Sequence, residues 1–188
     1  MATKTETLPV VKYPAPVLRK KAAPAKRVTT EIAHFLEKMF ATMYESNGVG
    51  LAAPQVGISL RIIVVDFGEG PVSVINPVII EREGSQTGVE GCLSFPDLHG
   101  EVTRARKITV RGVDKNGKKI VLSGEDFWAC AMQHEIDHLD GILFIDRVLP
   151  ETLHWVTGER DADDNYITRP TTLEDALKVF ECEAAVPK

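Results

Sequence analysis

The feature of this 188-residue sequence that most constrains its fold is a helical segment with an apolar middle and two histidines near its end. Residues 123–139 are predicted to form this helix, with Ser123 as its N-cap, Asp126 in capping-box position and Gly141 as its terminator. The stretch 127–132 (FWACAM) is apolar on every side of the helix. A helix of that kind is normally buried, so we expect it to lie between β-sheets.

The two histidines lie four residues apart in the stretch 134–138 (HEIDH). At this spacing His134 and His138 project from one helical face and can hold one metal ion, while Glu135 can reach a water bound to that ion. In a chain with five histidines, chance alone produces the pattern in roughly one sequence per hundred. The alternative is a pair of histidines that only satisfies local hydrogen bonds.

A catalytic metal ion needs a third protein ligand and an open fourth position. The metzincin pattern is excluded because Phe144 stands at the sixth position after His138, where that pattern has a histidine. Glu159 lies near the spacing of a thermolysin-like third ligand, but its neighbours are polar. Cys92 is the better candidate, because a thiolate is a soft, tight ligand and Gly91 before it permits close approach.

The remaining patterns predict an α+β fold in which antiparallel β-sheets pack around this central helix. An amphipathic helix is expected near the N-terminus and a short helix near the C-terminus. An Asn-Gly pair at 116–117 predicts a tight hairpin. The segments are a helix at 32–44, a loop of small residues at 48–57, strands at 61–67, 72–80, 108–113 and 119–122, and a last helix that begins near 171.

The charge distribution divides the chain into two parts. Of the 27 acidic and 22 basic residues, 9 and 4 lie in 151–188, which leaves 18 of each in 1–150. We therefore expect a catalytic region at 1–150 and an acidic C-terminal extension at 151–188, which is part of the same domain or packs on it.

No basic stripe interleaved with aromatic residues supports nucleic-acid binding, and no apolar run approaches the ~20 residues that span a membrane. Three cysteines without Cys-x-x-Cys spacing argue against a disulfide framework and favour a reducing cytoplasm.

Four motifs in order resemble the peptide deformylase family. They are 13–20 (YPAPVLRK), 48–55 (GVGLAAPQ), 90–94 (EGCLS) and 133–138 (QHEIDH), and the resemblance covers about residues 10–148. It implies a bacterial-type cytoplasmic enzyme that hydrolyses the N-formyl group from the initiator methionine of new polypeptides and releases formate.

The resemblance also assigns roles to residues of this chain. Cys92, His134 and His138 would hold a divalent metal ion, with Glu135 as the general acid and base. Fe(II) is the implied physiological ion, and Zn(II), Ni(II) or Co(II) could substitute. The side chain of Gln55 and the backbone N–H of Leu93 would stabilise the oxyanion. An apolar pocket for the methionine side chain is expected from five residues: Val49, Gly50, Phe127, Cys130 and Ala131.

Two departures from the family affect the expected binding properties. His99 stands where several members of the family have an arginine that helps to orient the peptide, so substrate binding could differ. The acidic tail does not resemble the basic helix with which some deformylases dock on the ribosome, so ribosome contact through it is not expected.

Two other readings use the same motif. A zinc endopeptidase would use His134, Glu135 and His138 with Glu159 as the third ligand. A noncatalytic, metal-stabilised binding module would complete its coordination sphere with His99 or Cys130.

Overall fold

A computed structural model describes residues 5–185 as an α+β fold with two antiparallel sheets, which confirms the predicted class. The helices are α1 (Thr30–Glu45), α2 (Asp126–Leu139) and α3 (Leu173–Ala185). The strands are β1 (Gly50–Ala52), β2 (Ile62–Val65), β3 (Val72–Glu83), β4 (Gln86–Cys92), β5 (Phe95–Arg104), β6 (Lys107–Val113), β7 (Lys119–Glu125), β8 (His154–Arg160) and β9 (Tyr166–Pro170). Within these residues, none of the helices has the length and apolar character that a membrane-spanning helix requires.

The first sheet has five strands in the order β1-β2-β3-β6-β7 and carries α2 on one face. Apolar residues of α2 recur at helical spacing and pack against the alternate apolar residues of β2, β3 and β6. The buried residues that α2 contributes to this core are Ala129, Met132, Ile136 and Leu139. Burial of this stripe turns the histidine-bearing face of α2 towards β4 of the second sheet.

Helix α1 also packs on the first sheet and confirms the amphipathic helix predicted near the N-terminus. The hydroxyl of Thr29 accepts a hydrogen bond from the backbone N–H of Ile32, which satisfies one free donor of the first turn. Leu36, Met39 and Met43 of α1 are buried against β1 and β2.

The second sheet has four strands in the order β4-β5-β8-β9, and α3 packs beside it. Phe180 of α3 lies edge-on to Phe95 of β5, with ring centroids 5.2 Å apart. Phe95 in turn contacts Phe144, at 5.5 Å between centroids. One apolar cluster therefore contains residues as far apart in the sequence as Leu18 and Phe180.

The start of α2 differs from the sequence prediction. Ser123 belongs to β7, which continues to Glu125, so the helix begins at Asp126 and Glu125 occupies the N-cap without a side-chain hydrogen bond. Phe127 is 63% exposed, so the first turn of the helix is not buried on every side. The predicted capping box is wrong because pairing of β7 with β6 extends to the residue before the helix.

Several other segments were incompletely predicted. The expected loop at 48–57 contains β1 and a turn of 3-10 helix at Ala53–Val56. Strand β3 runs through Pro77, where the pairing with β6 is irregular, so the strand tolerates the missing N–H. Strands β4, β5, β8 and β9 were not among the predicted strands, and the polar composition of β8 and β9 resembles that of an exposed loop.

Candidate active site

Three potential metal ligands meet where β4 ends opposite α2. Cys92 is the last residue of β4, and its Sγ lies 3.3 Å from Nε2 of His138. One donor atom from each of Cys92, His134 and His138 lies within 4.8 Å of the others. Within residues 5–185 this is the one group of three such side chains close enough to hold an ion. A metal-stabilised binding module would require His99 or Cys130 as a further ligand, and neither residue belongs to this group.

The donor set fits a divalent transition metal. A thiolate and two imidazoles, with no fourth protein ligand in the described part of the chain, leave a position for water or substrate. Burial lowers the pKa of His138 well below its ordinary value, which keeps the ring neutral and its lone pair available. Burial acts in the same direction on His134, but hydrogen bonds to Cys92 and Glu90 raise the pKa of this ring well above its ordinary value. Surroundings that favour a proton on His134 also favour a metal cation beside it.

The orientation of His134 is set from outside the ligand group. Its Nδ1 lies 2.8 Å from Oε2 of Glu90, which leaves Nε2 to face Cys92 and His138. Arg104 holds the same carboxylate with two hydrogen bonds. Burial would raise the pKa of Glu90, but the hydrogen bonds from His134 and Arg104 outweigh it and lower that pKa to about 2. Glu90 is therefore a carboxylate at neutral pH.

Glu135 borders the ligand group and is 5% exposed. Its Oε2 is buried and has no hydrogen-bond partner among residues 5–185. Burial raises the pKa of this carboxyl to about 7, with a further contribution from the negative charge of Glu90. A buried carboxyl with a free oxygen and a pKa near neutrality can both accept and return a proton.

Gln55 is placed beside Cys92 by the 3-10 turn that follows β1. Its Oε1 accepts a hydrogen bond of 2.8 Å from the backbone N–H of Ala52. Its Nε2 lies 3.5 Å from Sγ of Cys92 and 3.5 Å from Oγ of Ser94. Because the amide oxygen is anchored at short distance while the nitrogen makes only long contacts, Nε2 remains a donor for a ligand.

A cavity of about 660 Å³ opens beside this group. Besides Cys92, His134, Glu135 and Gln55, its lining contains Leu93 and all five residues predicted for the apolar pocket, Val49, Gly50, Phe127, Cys130 and Ala131. Burial raises the pKa of the Cys130 thiol, so this side chain is a neutral, small hydrophobic residue. Val49 and Phe127 are 41% and 63% exposed, so they form the rim of the cavity and not its floor.

Sequence reasoning missed Lys12 and Asp97 at the same cavity. The Nζ of Lys12 donates a hydrogen bond of 2.5 Å to the backbone carbonyl of Leu93. Burial lowers the pKa of Lys12, and the charges of Cys92 and Asp97 partly oppose that shift. Only the tertiary structure brings the N-terminal segment to Leu93, so no local pattern marked Lys12.

Of the two other residues that the sequence analysis considered as ligands, His99 lines the cavity and Glu159 does not. His99 lies on β5 directly opposite Gly91, lines the cavity, and stacks on His154 with ring centroids 6.2 Å apart. Glu159 is exposed near the end of β8 and is not part of the ligand group, so the structure does not place it as a third metal ligand.

Known proteins resemble this chain in sequence and in fold. The sequence model of the family described as polypeptide deformylase matches residues 7–153. Peptide deformylases of Desulfitobacterium hafniense and Carboxydothermus hydrogenoformans are 51% and 53% identical over 138 residues, which is 73% of this chain and 92% and 91% of theirs. The crystal structure of the Thermotoga maritima peptide deformylase has a TM-score of 0.76 and 43% identity, and covers 77% of this chain and 99% of that one. This chain therefore belongs to the peptide deformylase family, the metalloenzymes that remove the N-formyl group from newly made polypeptides.

Proposed function

We propose that Cys92, His134 and His138 hold the metal ion with which this chain removes the formyl group. The convergence of their three donor atoms within 4.8 Å supports this ligand set. A divalent ion bound there supplies Lewis acidity, which lowers the pKa of a coordinated water and polarises the formyl carbonyl.

Fe(II) is the physiological ion in this proposal, and Zn(II), Ni(II) or Co(II) can replace it. The family resemblance favours iron, while one thiolate and two imidazoles suit all four ions. Ferrous iron beside a thiolate is prone to oxidation, so the metal should be assayed in protein that was purified anaerobically.

Glu135 is the general acid and base. Its unpartnered Oε2 accepts a proton from the water as the oxygen attacks the formyl carbon. The same carboxyl then delivers the proton to the departing amine nitrogen, the C–N bond breaks, and formate leaves. The pKa of about 7 suits both steps, because neither the acid nor the base form is strongly favoured at neutral pH.

Gln55 and Leu93 stabilise the negative charge that develops on the former carbonyl oxygen. The Nε2 of Gln55 and the backbone N–H of Leu93 are the donors, and both residues line the cavity. Loss of one donor of this kind typically costs about 3 to 4 kcal/mol of barrier. Anchoring of Gln55 Oε1 by Ala52 supports a preorganised amide.

The methionine side chain occupies the apolar part of the cavity. Cys130 and Ala131 supply small, neutral surfaces on the α2 side, and Gly50 lies on the β1 side. Val49 and Phe127 close over the side chain at the rim. His99 also lines the cavity, and in this proposal it contacts the bound peptide.

We also propose that the C-terminal extension belongs to the same domain as the catalytic region. Packing of α3 into the cluster that contains Phe95 supports this arrangement. The extension is acidic, so we do not propose that it docks on the ribosome, whose RNA is also negatively charged. The family membership favours a bacterial-type cytoplasmic location.

The observation that carries the catalytic proposal is the buried, unpartnered carboxylate oxygen of Glu135 beside the ligand group. Glu135→Gln keeps the shape of the side chain but removes the proton acceptor. Formate release from formyl-Met-Ala-Ser should fall about 10²- to 10⁴-fold, with metal content and melting temperature unchanged. Glu37→Gln, the same change at an exposed position of α1, is the matched control and should retain full activity. Near wild-type turnover by the Glu135→Gln enzyme would contradict the mechanism.

A further inference from the structure

A row of alternating charges extends from His134 away from the cavity. Glu90 accepts from His134 Nδ1, Arg104 binds Glu90, and Asp137 accepts a hydrogen bond of 2.7 Å from Arg104 Nη1. Arg147 closes the row with two hydrogen bonds to Asp137, of 2.7 Å from Nε and 2.9 Å from Nη2. These contacts join β4, β5, α2 and the segment that follows α2.

The row is buried next to the ligand group, and only its far end is exposed. The side chains of Glu90 and His134 are 10% exposed and that of Arg104 is 3% exposed, whereas that of Arg147 is 42% exposed. The two arginines balance the two carboxylates, so the row as a whole is neutral. Such balance matters because a buried charge without its partner is strongly destabilising.

The hydrogen bonds restrict the rotamer of Glu90. Arg104 donates from Nε to Oε1 and from Nη2 to Oε2, so its planar fork fixes the plane of the carboxylate. Oε2 then has one defined direction in which to accept from His134. A ring whose Nδ1 is held in this way presents Nε2 in a fixed orientation, and such outer contacts commonly tune metal affinity.

Arg104 depends in turn on Asp137. With Nε and Nη2 bound to Glu90, Nη1 is the donor that contacts Asp137. Arg147 binds both carboxylate oxygens of Asp137 and so fixes the acceptor for Arg104. Asp137 also precedes His138 in α2, so the row contacts the helical turn that carries the histidines at two positions, His134 and Asp137.

We propose that Arg104 is a positioning residue for His134, acting through Glu90, and that Arg147 supports it through Asp137. The proposal rests on the proposed function, because it assigns these residues to the affinity of the same metal site. It makes a partly exposed arginine outside the cavity a determinant of metal retention.

The test measures zinc affinity of the full-length protein by competition with a chromophoric chelator, and records the visible spectrum of the Co(II)-substituted protein. Arg104→Met should weaken zinc binding about 10- to 100-fold. Arg104→Lys retains the charge without the fork and should give an intermediate loss. Arg147→Met should weaken binding about threefold, because it breaks an outer ion pair only. The cobalt bands should shift in each variant that loses affinity.

Arg19→Met is the matched control, because Arg19 forms an ion pair with Asp146 at a similar exposure of 39%. This variant should bind zinc as the wild type does. If Arg104→Met fails to fold, Arg147→Met decides the question alone, and wild-type zinc affinity in that variant would overturn the proposal.

His134→Ala separates this inference from the proposed function. Loss of zinc in His134→Ala together with wild-type affinity in both arginine variants would reject the positioning role and leave the ligand set standing. Wild-type affinity in His134→Ala would instead reject the ligand set itself.

Discussion

The carboxylate of Glu135 occupies the space directly above the α-carbon of Gly50. A Cβ atom at residue 50 would lie 2.5 Å from Oε1 of Glu135 and 2.9 Å from its Cδ and Cγ. Contacts under 3.0 Å with those atoms require one of the two residues to move. Strand β1 therefore approaches α2 closely enough to define the position of the proposed general base, and a side chain at residue 50 is incompatible with that position.

Gly50→Ala should displace Glu135 and lower kcat for formate release about 100-fold, since misplacement of a catalytic group by about 1 Å can cost that much. Metal content should be unchanged, because Gly50 is not a ligand. Gly158→Ala on β8, where a Cβ meets nothing within 4 Å, serves as the control. Full activity of Gly50→Ala would show that the position of Glu135 in the structure is not the catalytic one.

Cys92→Ala should remove the thiolate from the proposed ligand set and cause loss of the metal during purification. Two imidazoles alone offer fewer ligands than the three that catalytic zinc sites use. Metal content by atomic emission and formate release should fall together, while circular dichroism should retain the wild-type shape. Cys182→Ala, at an exposed cysteine of α3, controls for removal of a thiol elsewhere. A Cys92→Ala protein with one full equivalent of metal would contradict the ligand set.

The shared face of the two proposed histidine ligands on α2 could be predicted from sequence because it depends on local helical geometry. His134 and His138 share a face at a spacing of four, whatever surrounds the helix. Cys92 was found by its chemistry and its glycine neighbour, and by the family resemblance. Lys12 was missed because its contact with Leu93 joins residues 81 positions apart, and no periodic pattern encodes such a contact.

The errors in the predicted fold also come from tertiary contacts that no local pattern encodes. Ser123 has the residue type and spacing of an N-cap, but pairing of β7 with β6 occupies its backbone. Strand β9 is exposed along its whole length. Its sequence therefore lacks the alternation of apolar and polar residues by which a half-buried strand is recognised. Its pairing with β8 forms through the tertiary arrangement, beyond what local propensity specifies.

Tyr44 and Asp66 should stabilise the fold over a defined range of pH. The Tyr44 hydroxyl donates a hydrogen bond of 2.6 Å to Asp66, which raises the pKa of Tyr44 to about 12 and lowers that of Asp66. The contribution of Tyr44 is complete below its ordinary pKa of about 10 and is lost as pH rises through about 12. The contribution of Asp66 is present above its ordinary pKa and is lost as pH falls through the lowered value.

Urea unfolding of the wild type and of Tyr44→Phe at several pH values measures this contribution. The difference in unfolding free energy should be largest between about pH 5 and 9 and should shrink at both extremes. A difference that is independent of pH would assign the effect to packing of the ring and not to the hydrogen bond.

Phe180→Ala tests whether the acidic extension is part of the catalytic domain. Phe180 is 3% exposed, and its ring centroid lies 5.2 Å from that of Phe95 and 5.5 Å from that of Trp155. Removal of a buried phenylalanine ring typically costs about 3 to 5 kcal/mol. If the extension and the catalytic region unfold as one unit, Phe180→Ala should lower the free energy of the single unfolding transition by that amount.

Val179→Ala, at the neighbouring residue of α3 that is 44% exposed, is the control and should change that free energy by less than about 0.5 kcal/mol. Wild-type stability of the catalytic region in Phe180→Ala, with a separate transition for α3, would instead define the extension as an independent unit that only rests on the enzyme.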